Sequence, residues 1–361
     1  MAEPTREDVM SNGISRREVL TMIGSSVMVG AALTSQSLIT PAFAQSRPFT
    51  WAATGGTWGD TLRRIFVEPF AKAQGLEAVH SAQLESVAAS KILASCGNPP
   101  FDVSNGPQAD YDLLNASSCL EAYDPSIVTG LGDIYPEAKE GDFYAAFNIL
   151  LFGMCWNTKE AKRPASFKDL LLNDYKGLVG IPAYGWYGMA WLHAVNKELG
   201  GTEDNIDPGI AAVAEMVRKN KAVVVENADH GTRLMESGEV VMMPYWNGRT
   251  ARLQEAKIPA AFEIVPGTVL VGSGFSITKG SPYTKQSQAF VQTTLDPQKQ
   301  LEFTRWSKYP PSNKTLKLPP ELEGIAIPPG ALEKTAKLNW KKVNEHRSQY
   351  LERWNKEVLS A

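Results

Sequence analysis

An α/β protein folded in two lobes is what this sequence predicts, and three observations predict it. Short β-like runs alternate with amphipathic helical stretches along most of the 361 residues. Two long apolar, β-rich stretches, 143–158 and 262–278, lie far apart, and each joins regions of similar βα character. Such stretches suggest a chain that crosses between lobes more than once. The chain is also long enough for two domains of ordinary size.

The first forty-odd residues read as an address. Arg16 and Arg17 stand ahead of an apolar run that continues to about Leu38. The hexapeptide Ser15-Arg16-Arg17-Glu18-Val19-Leu20 resembles a twin-arginine export signal. Pro41-Ala42-Phe43-Ala44 fits the small-x-small rule for cleavage, so residues 1–44 are expected to be removed after Ala44, freeing the remainder in the periplasm. Gly24, Ser25, Ser26, Gly30, Ser35 and Gln36 make the run too weakly apolar for a spanning anchor. No cysteine follows it closely, which leaves a lipoprotein anchor unsupported.

The elements then follow in order. Residues 48–54 read as a strand, and 58–75 as a helix with Leu62, Ile65, Phe66 and Phe70 on one stripe and Gly75 as its stop. A helix is expected over 86–95 and a short strand over 100–106, then the long 143–158 stretch. Further strands are expected at 178–183, 222–227 and 239–247, and 262–278 reads as the second long apolar stretch. Residues 284–296 and 297–307 read as helices, the Pro-rich stretch 318–329 as an irregular surface connection, and 333–359 as a polar helical tail.

Charge is nearly balanced, with 36 basic and 39 acidic residues and a net charge of −3. No block of clustered lysine and arginine suggests nucleic-acid binding. The three cysteines, Cys96, Cys119 and Cys155, form no CxxC and sit near no histidine at metal-ligand spacing. In an oxidising compartment, sequence separation favours a Cys96–Cys119 bridge with Cys155 spare; three small buried thiols is the equally good alternative. No metal and no cofactor are expected.

Four stretches in order resemble the spermidine/putrescine-binding type of bacterial ABC-importer solute-binding protein. They are "TGGTWGDTLRRIFVEPFAKAQG", "GLVGIPAYGWYGMAWLHAVNKELGG", "GEVVMMPYWNGRTARLQEAKIPAAFEIVPG" and "GFSITKGSPYTKQSQAFVQTTLDPQKQLEFTRWSKYPPSN". The resemblance implies a type II periplasmic-binding-protein fold, with mixed sheets flanked by helices. It implies hinge closure of two lobes around one ligand. Its lobes would be 45–152 with a return at 272–316, and 153–271 with the C-terminal helices 317–361. A permease and an ATPase would be partners, and the chain would act as a monomer.

Ligands of open α/β sheets sit on loops at the carboxyl ends of strands. The first such loop is Thr54-Gly55-Gly56-Thr57-Trp58, where glycines admit backbone N–H groups to a ligand; an ordinary tight turn is the bland alternative. The second offers the amides of Asn105 and Gln108. The third, with Tyr184, Trp186 and Tyr187, has three rings in four residues, suited to flanking a flat or aliphatic ligand. The fourth holds Trp246 and Asn247; Trp246 matches a ligand-contacting ring of the polyamine binders, and Arg249 beside it is expected to cap or pair. Ser273 in the fifth such loop, Val271-Gly272-Ser273-Gly274, Tyr309 in the Tyr-Pro-x-x-Asn end of the last resembling block, and Lys341, which falls about where the resembling proteins have a neutral amide, complete the candidate set.

This chain departs from that family at points that matter. Polyamine binders place a tryptophan and an aspartate at about Val271 and Ser273, and acidic residues near Tyr184; here they are absent. Polyammonium ligands need carboxylates once water is excluded. A non-polyamine organic solute, a carboxylate or other small anion, is therefore expected, with polyamine binding as the alternative. An exported enzyme is the rival of a different class. However, the chain has no HExxH, GxSxG, GxGxxG or CxxCH, and its four histidines are scattered. A ferric-ion binder would want paired tyrosinates, and no adjacent Tyr-Tyr occurs. A ligand carrier for a chemoreceptor would bind the same way and differ only in its partner.

Overall fold

The computed structural model describes residues 47–360; the expected leader and its cleavage site lie outside them, as do the side chains of Ala109 and Trp186. Eleven strands are described: β1 (Phe49–Ala53), β2 (Ala78–Ala82), β3 (Val103–Gly106), β4 (Leu120–Glu121), β5 (Lys139–Glu140), β6 (Tyr144–Asn157), β7 (Gly180–Pro182), β8 (Val223–Val225), β9 (Met242–Trp246), β10 (Ala260–Glu263) and β11 (Val269–Thr278). The main sheet runs β10-β6-β11-β3-β1-β2, with β4 beside β11 and both β5 and β9 beside β6. It is mixed: β1 pairs in parallel with β2 and β3, while β3, β6, β9 and β10 join through antiparallel ladders. A separate parallel pair, β7–β8, is bridged to β9 through Val179 and Met242.

Apolar residues collect in distinct clusters. The first contains Leu62, Ile65, Phe66 and Phe70, the stripe read from sequence, with Trp51, Phe147, Phe275, Phe290 and Phe303. The helical run from Gly56 to Gln74 that carries the stripe includes a π-helical turn over Arg63–Val67, and Gly75 ends it in the left-handed region at φ 63°. The second contains Phe152, Phe167, Trp191, Val213, Val269 and Trp354. A smaller third gathers Cys155, Leu234, Met243 and Tyr245.

The two long strands serve more than one cluster. On β6, Tyr144, Phe147, Ile149 and Leu151 pack in the first cluster and Leu150, Phe152 and Met154 on the second; on β11, Val269 and Val271 pack in the second and Phe275 and Ile277 in the first. Both strands are buried nearly throughout, which explains their continuous apolar sequence.

Three expectations need correction. The stretch 262–278 is two strands, because the chain turns at Pro266-Gly267 between β10 and β11. The tail is not continuously helical: after a 3-10 turn, Ala331–Lys334, helix resumes only at Trp340, in the segments Trp340–Glu345, Arg347–Arg353 and Trp354–Leu359. The Pro-rich stretch lies at the surface as expected but is not irregular throughout: it holds a 3-10 helix, Pro320–Ile325, that buries Leu322. Cys96 and Cys119 are joined in a disulfide, and Cys155 is free and buried.

Candidate functional site

A hollow of about 400 Å³ lies where elements of the first and second clusters meet, a volume ordinary for small-molecule sites. Trp58, Glu85, Pro107 and Asp110 reach it from elements around the first cluster; Tyr187, Trp246 and Arg347 reach it from the second; Leu150, Val271 and Ser273 come from the long strands. A neighbouring hollow of about 420 Å³ shares Trp58, Glu85, Leu150 and Trp246 and continues to Thr54, Thr57, Arg249, Arg252, Trp306 and Tyr309. The four shared residues make the two hollows adjoining parts of one cleft.

Each ring is held from behind. Trp58 donates its Nε1–H to Asn105 Oδ1 at 3.1 Å and packs on Phe303 and Trp306, with centroids 5.2 and 6.1 Å away. Trp246 stands edge-on to Phe152 at 4.8 Å and meets Tyr187 at 5.7 Å. Gly248, in the Asn-Gly turn after Trp246, has the Tyr309 ring so close that a Cβ there would meet it at 2.6 Å. That glycine lets the Asn247–Glu255 helix lie against Tyr309, which lines the second hollow.

A polar network lies under the rings. Asn105, 1% exposed, donates through Nδ2 to Ser273 Oγ at 3.1 Å and to the Gly274 carbonyl at 2.8 Å. Asn148 accepts from the Ser273 amide at 3.3 Å, and its own Nδ2 has no partner although the residue is fully buried. Positions 148, 150 and 152 share one face of β6, so this unpaired donor lies on the face that presents Leu150 to the cleft.

Charged groups oppose one another across the hollow. Glu85 accepts from the Thr54 hydroxyl at 2.5 Å. Burial pushes the Asp110 carboxyl up to about 6, with Arg347 opposing and Glu85 adding to the rise. Arg347 opens the helix Arg347–Arg353, and its carbonyl accepts from Tyr184 Oη at 3.3 Å. In the second hollow Arg249 pairs with Asp229 at 2.9 Å, as expected of a capping or pairing residue, and Arg252 donates to the Trp306 carbonyl at 2.6 Å.

The structure brings Trp58, Tyr187, Trp246 and Ser273 to the main hollow, and Thr54, Thr57 and Tyr309 to its neighbour. Gly55 and Gly56 form the turn into the helix behind Trp58. Asn105 sits beneath, as a support. Asn247 faces a different hollow and accepts from the Leu151 amide at 3.1 Å. Gln108 donates to Glu140 at 2.7 Å and lines a separate depression. Tyr184 packs on Trp354 at 5.6 Å, and Lys341 is exposed on the helix Trp340–Glu345; neither lines the cleft. The expected ring of Trp186 belongs to a side chain outside the described residues.

Sequence reasoning missed Glu85, Asp110 and Arg347. It looked for carboxylates only where polyamine binders carry them, and the fold supplies two from elsewhere. Helix starts carry a usable signal: Glu85 and Asp110 each lie in the first turn of a helix that follows a strand. Among the described residues no group of three His, Cys, Asp or Glu side chains is placed to hold a metal ion.

The family profile of bacterial extracellular solute-binding proteins matches residues 66–328. Solved structures with the same fold include an extracellular solute-binding protein from Bordetella parapertussis, with 21% identity and a TM-score of 0.73, matching 86% of this chain and 98% of that one. An ABC transporter structure from Clostridium perfringens has 20% identity and a TM-score of 0.73, over 86% and 99% of the two chains. The PBP MotA from A. tumefaciens B6 in complex with glucopine has 22% identity and a TM-score of 0.67, over 86% and 99%. No curated protein matches the chain. These likenesses establish a mixed α/β periplasmic-binding-protein fold, and the profile match over most of the chain places it in the bacterial extracellular solute-binding protein family.

Proposed function

We propose that this chain is the solute-capturing subunit of an ABC importer in the periplasm, and that it closes two lobes around a small organic solute bearing a carboxylate. Residues 45–152 and 272–316 form one lobe, and 153–271 with 317–361 the other. The division of apolar clusters along β6 and β11 supports these limits to within a residue on β6, where Phe152 already packs in the second cluster; Phe262, Ile264, Leu270, Ile327 and Leu332 reach across to the first. Closure excludes water from the cleft and strengthens its polar contacts, and the closed form docks on a permease whose ATPase supplies the energy. Permease and ATPase are separate chains.

One observation carries the reading: Trp58 from one cluster and Tyr187 and Trp246 from the other face a single hollow that also holds Arg347. None of the four histidines lines the cleft. His80 stacks on Trp51 at 3.8 Å, His193 is buried, His230 is bound by its amide to Asn227 and His346 lies 3.3 Å from Asp204. That disposition suits a binder better than an exported hydrolase.

A second reading keeps a polyamine, favoured by Glu85 and Asp110 in the lining. Thermal-shift measurements separate the two. Organic acids are expected to raise the melting temperature and putrescine and spermidine to leave it unchanged; the reverse result discards the carboxylate reading.

A further inference from the structure

The walls of the main hollow carry opposite charges. Glu85 and Asp110 stand on the side of the first cluster and Arg347 on the side of the second. Among the described residues neither the Asp110 carboxylate nor the Arg347 guanidinium makes a hydrogen bond or ion pair with another side chain. Closure would take these groups from water, and a buried charge without a partner is costly. A guest that is only an anion would satisfy Arg347 and leave the two carboxylates unmatched. A diamine would satisfy the carboxylates and strand Arg347. Between the charges lie Trp58, Leu150, Tyr187 and Trp246, a surface for a hydrocarbon body and for the face of an ammonium group.

We infer that the guest is amphoteric: an amino-acid-like solute whose protonated amine sits on Asp110 and Glu85 and whose carboxylate meets Arg347. The inference rests on the cleft being the solute site proposed above, and it names the second charged group that the guest carries. The raised pKa of Asp110 agrees with it, since an ammonium group beside that carboxyl would favour the ionised form.

The test is calorimetric titration of the full mature chain with matched sets of equal carbon number: acids, diamines, and the α- and ω-amino acids between them. The six-carbon set is hexanoate, 1,6-diaminohexane, 6-aminohexanoate and norleucine, and the four- and five-carbon sets are built alike. At least one amino acid is expected to bind tenfold or more tighter than both its matched acid and its matched diamine. Asp110→Asn is expected to remove its advantage over the acid, and Arg347→Gln its advantage over the diamine. Ligand-free Asp110→Asn protein should melt no earlier than the parent, because the variant removes a half-buried charge that makes no hydrogen bond or ion pair among the described residues and whose loss of water outweighs its attraction to Arg347. If no amino acid outbinds its matched acid, the inference falls; where acids then bind best, the carboxylate reading survives it. If the diamines bind tightest, both fall. An Asp110→Asn protein that melts earlier yet binds unchanged marks a structural role and also overturns it.

Discussion

Asp102 and His193 are both fully buried, and the molecule treats them in opposite ways. Asp102, between the elements of the first cluster, receives both Arg47 Nη atoms at 2.7 and 2.8 Å, the Thr50 amide at 2.7 Å and Ser281 Oγ at 2.6 Å. His193, within the helix Trp186–Glu198 of the second cluster, has no hydrogen-bond partner on either ring nitrogen. Burial pushes it down to about 4, while Glu203 opposes the fall and His346 and Lys197 add to it. Trp191 Nε1 and Glu198 Oε2, on the same helix, are also buried without partners. A buried charge with four donors ties distant segments together. A buried base without partners stays neutral and tolerates its place only as long as it does so.

The largest expected effect tests the first half of that contrast. Asp102→Ala leaves the Thr50 amide and Ser281 hydroxyl without their acceptor and Arg47 without its counter-charge, and is expected to cost about 3–5 kcal/mol in urea unfolding. A loss below ~1 kcal/mol would mean that the donors find other partners. The second half predicts a pH dependence. Unfolded, His193 titrates near 6.5; folded, near 4. Above pH 6.5 both states are neutral and the contribution is fully present. Between 6.5 and about 4 only the unfolded chain takes the proton, so stability is lost as pH falls, by roughly 3 kcal/mol. His193→Gln should flatten this part of the curve, measured as the difference between urea midpoints at pH 7.5 and 4.5. An unchanged slope would show that His193 finds a partner or water in solution.

How far the sequence could be read follows the same division. The stripe Leu62, Ile65, Phe66, Phe70 and the two crossing stretches were legible because burial imposes a period on the chain. The ten-residue strand β11 and the turn at Pro266-Gly267 were run together, because a buried strand and its approach are equally apolar. Trp58, Tyr187 and Trp246 were legible as rings on loops after strands. Glu85, Asp110 and Arg347 were not, because each is an ordinary charged residue at a helix start until the fold sets it against the others. Gln108 was misjudged for a related reason: the loop was identified, but the direction of one side chain along a helix is settled by a partner, Glu140, that local sequence does not reveal.

Smaller effects probe what the second region does with its apolar character. Trp246→Ala removes the ring that meets Phe152 and Tyr187 and lines both hollows. It is expected to weaken the best ligand from the screens by more than tenfold, over ~1.4 kcal/mol, in calorimetric titration. Equal affinity would place the solute away from this wall.

The smallest effect is expected at Lys341. It is exposed and borders neither hollow, while Arg347, in the helix that follows, borders the larger one. An exposed lysine is well solvated and gains little from a distant anion across water. Lys341→Ala should therefore leave affinity within about twofold, measured beside Arg347→Gln in the same titration. A tenfold loss would require that closure carry the Trp340–Glu345 helix into the cleft. The C-terminal helices would then be moving parts of the second region, and its contrast with the firmly tied first region would extend from chemistry to mechanics.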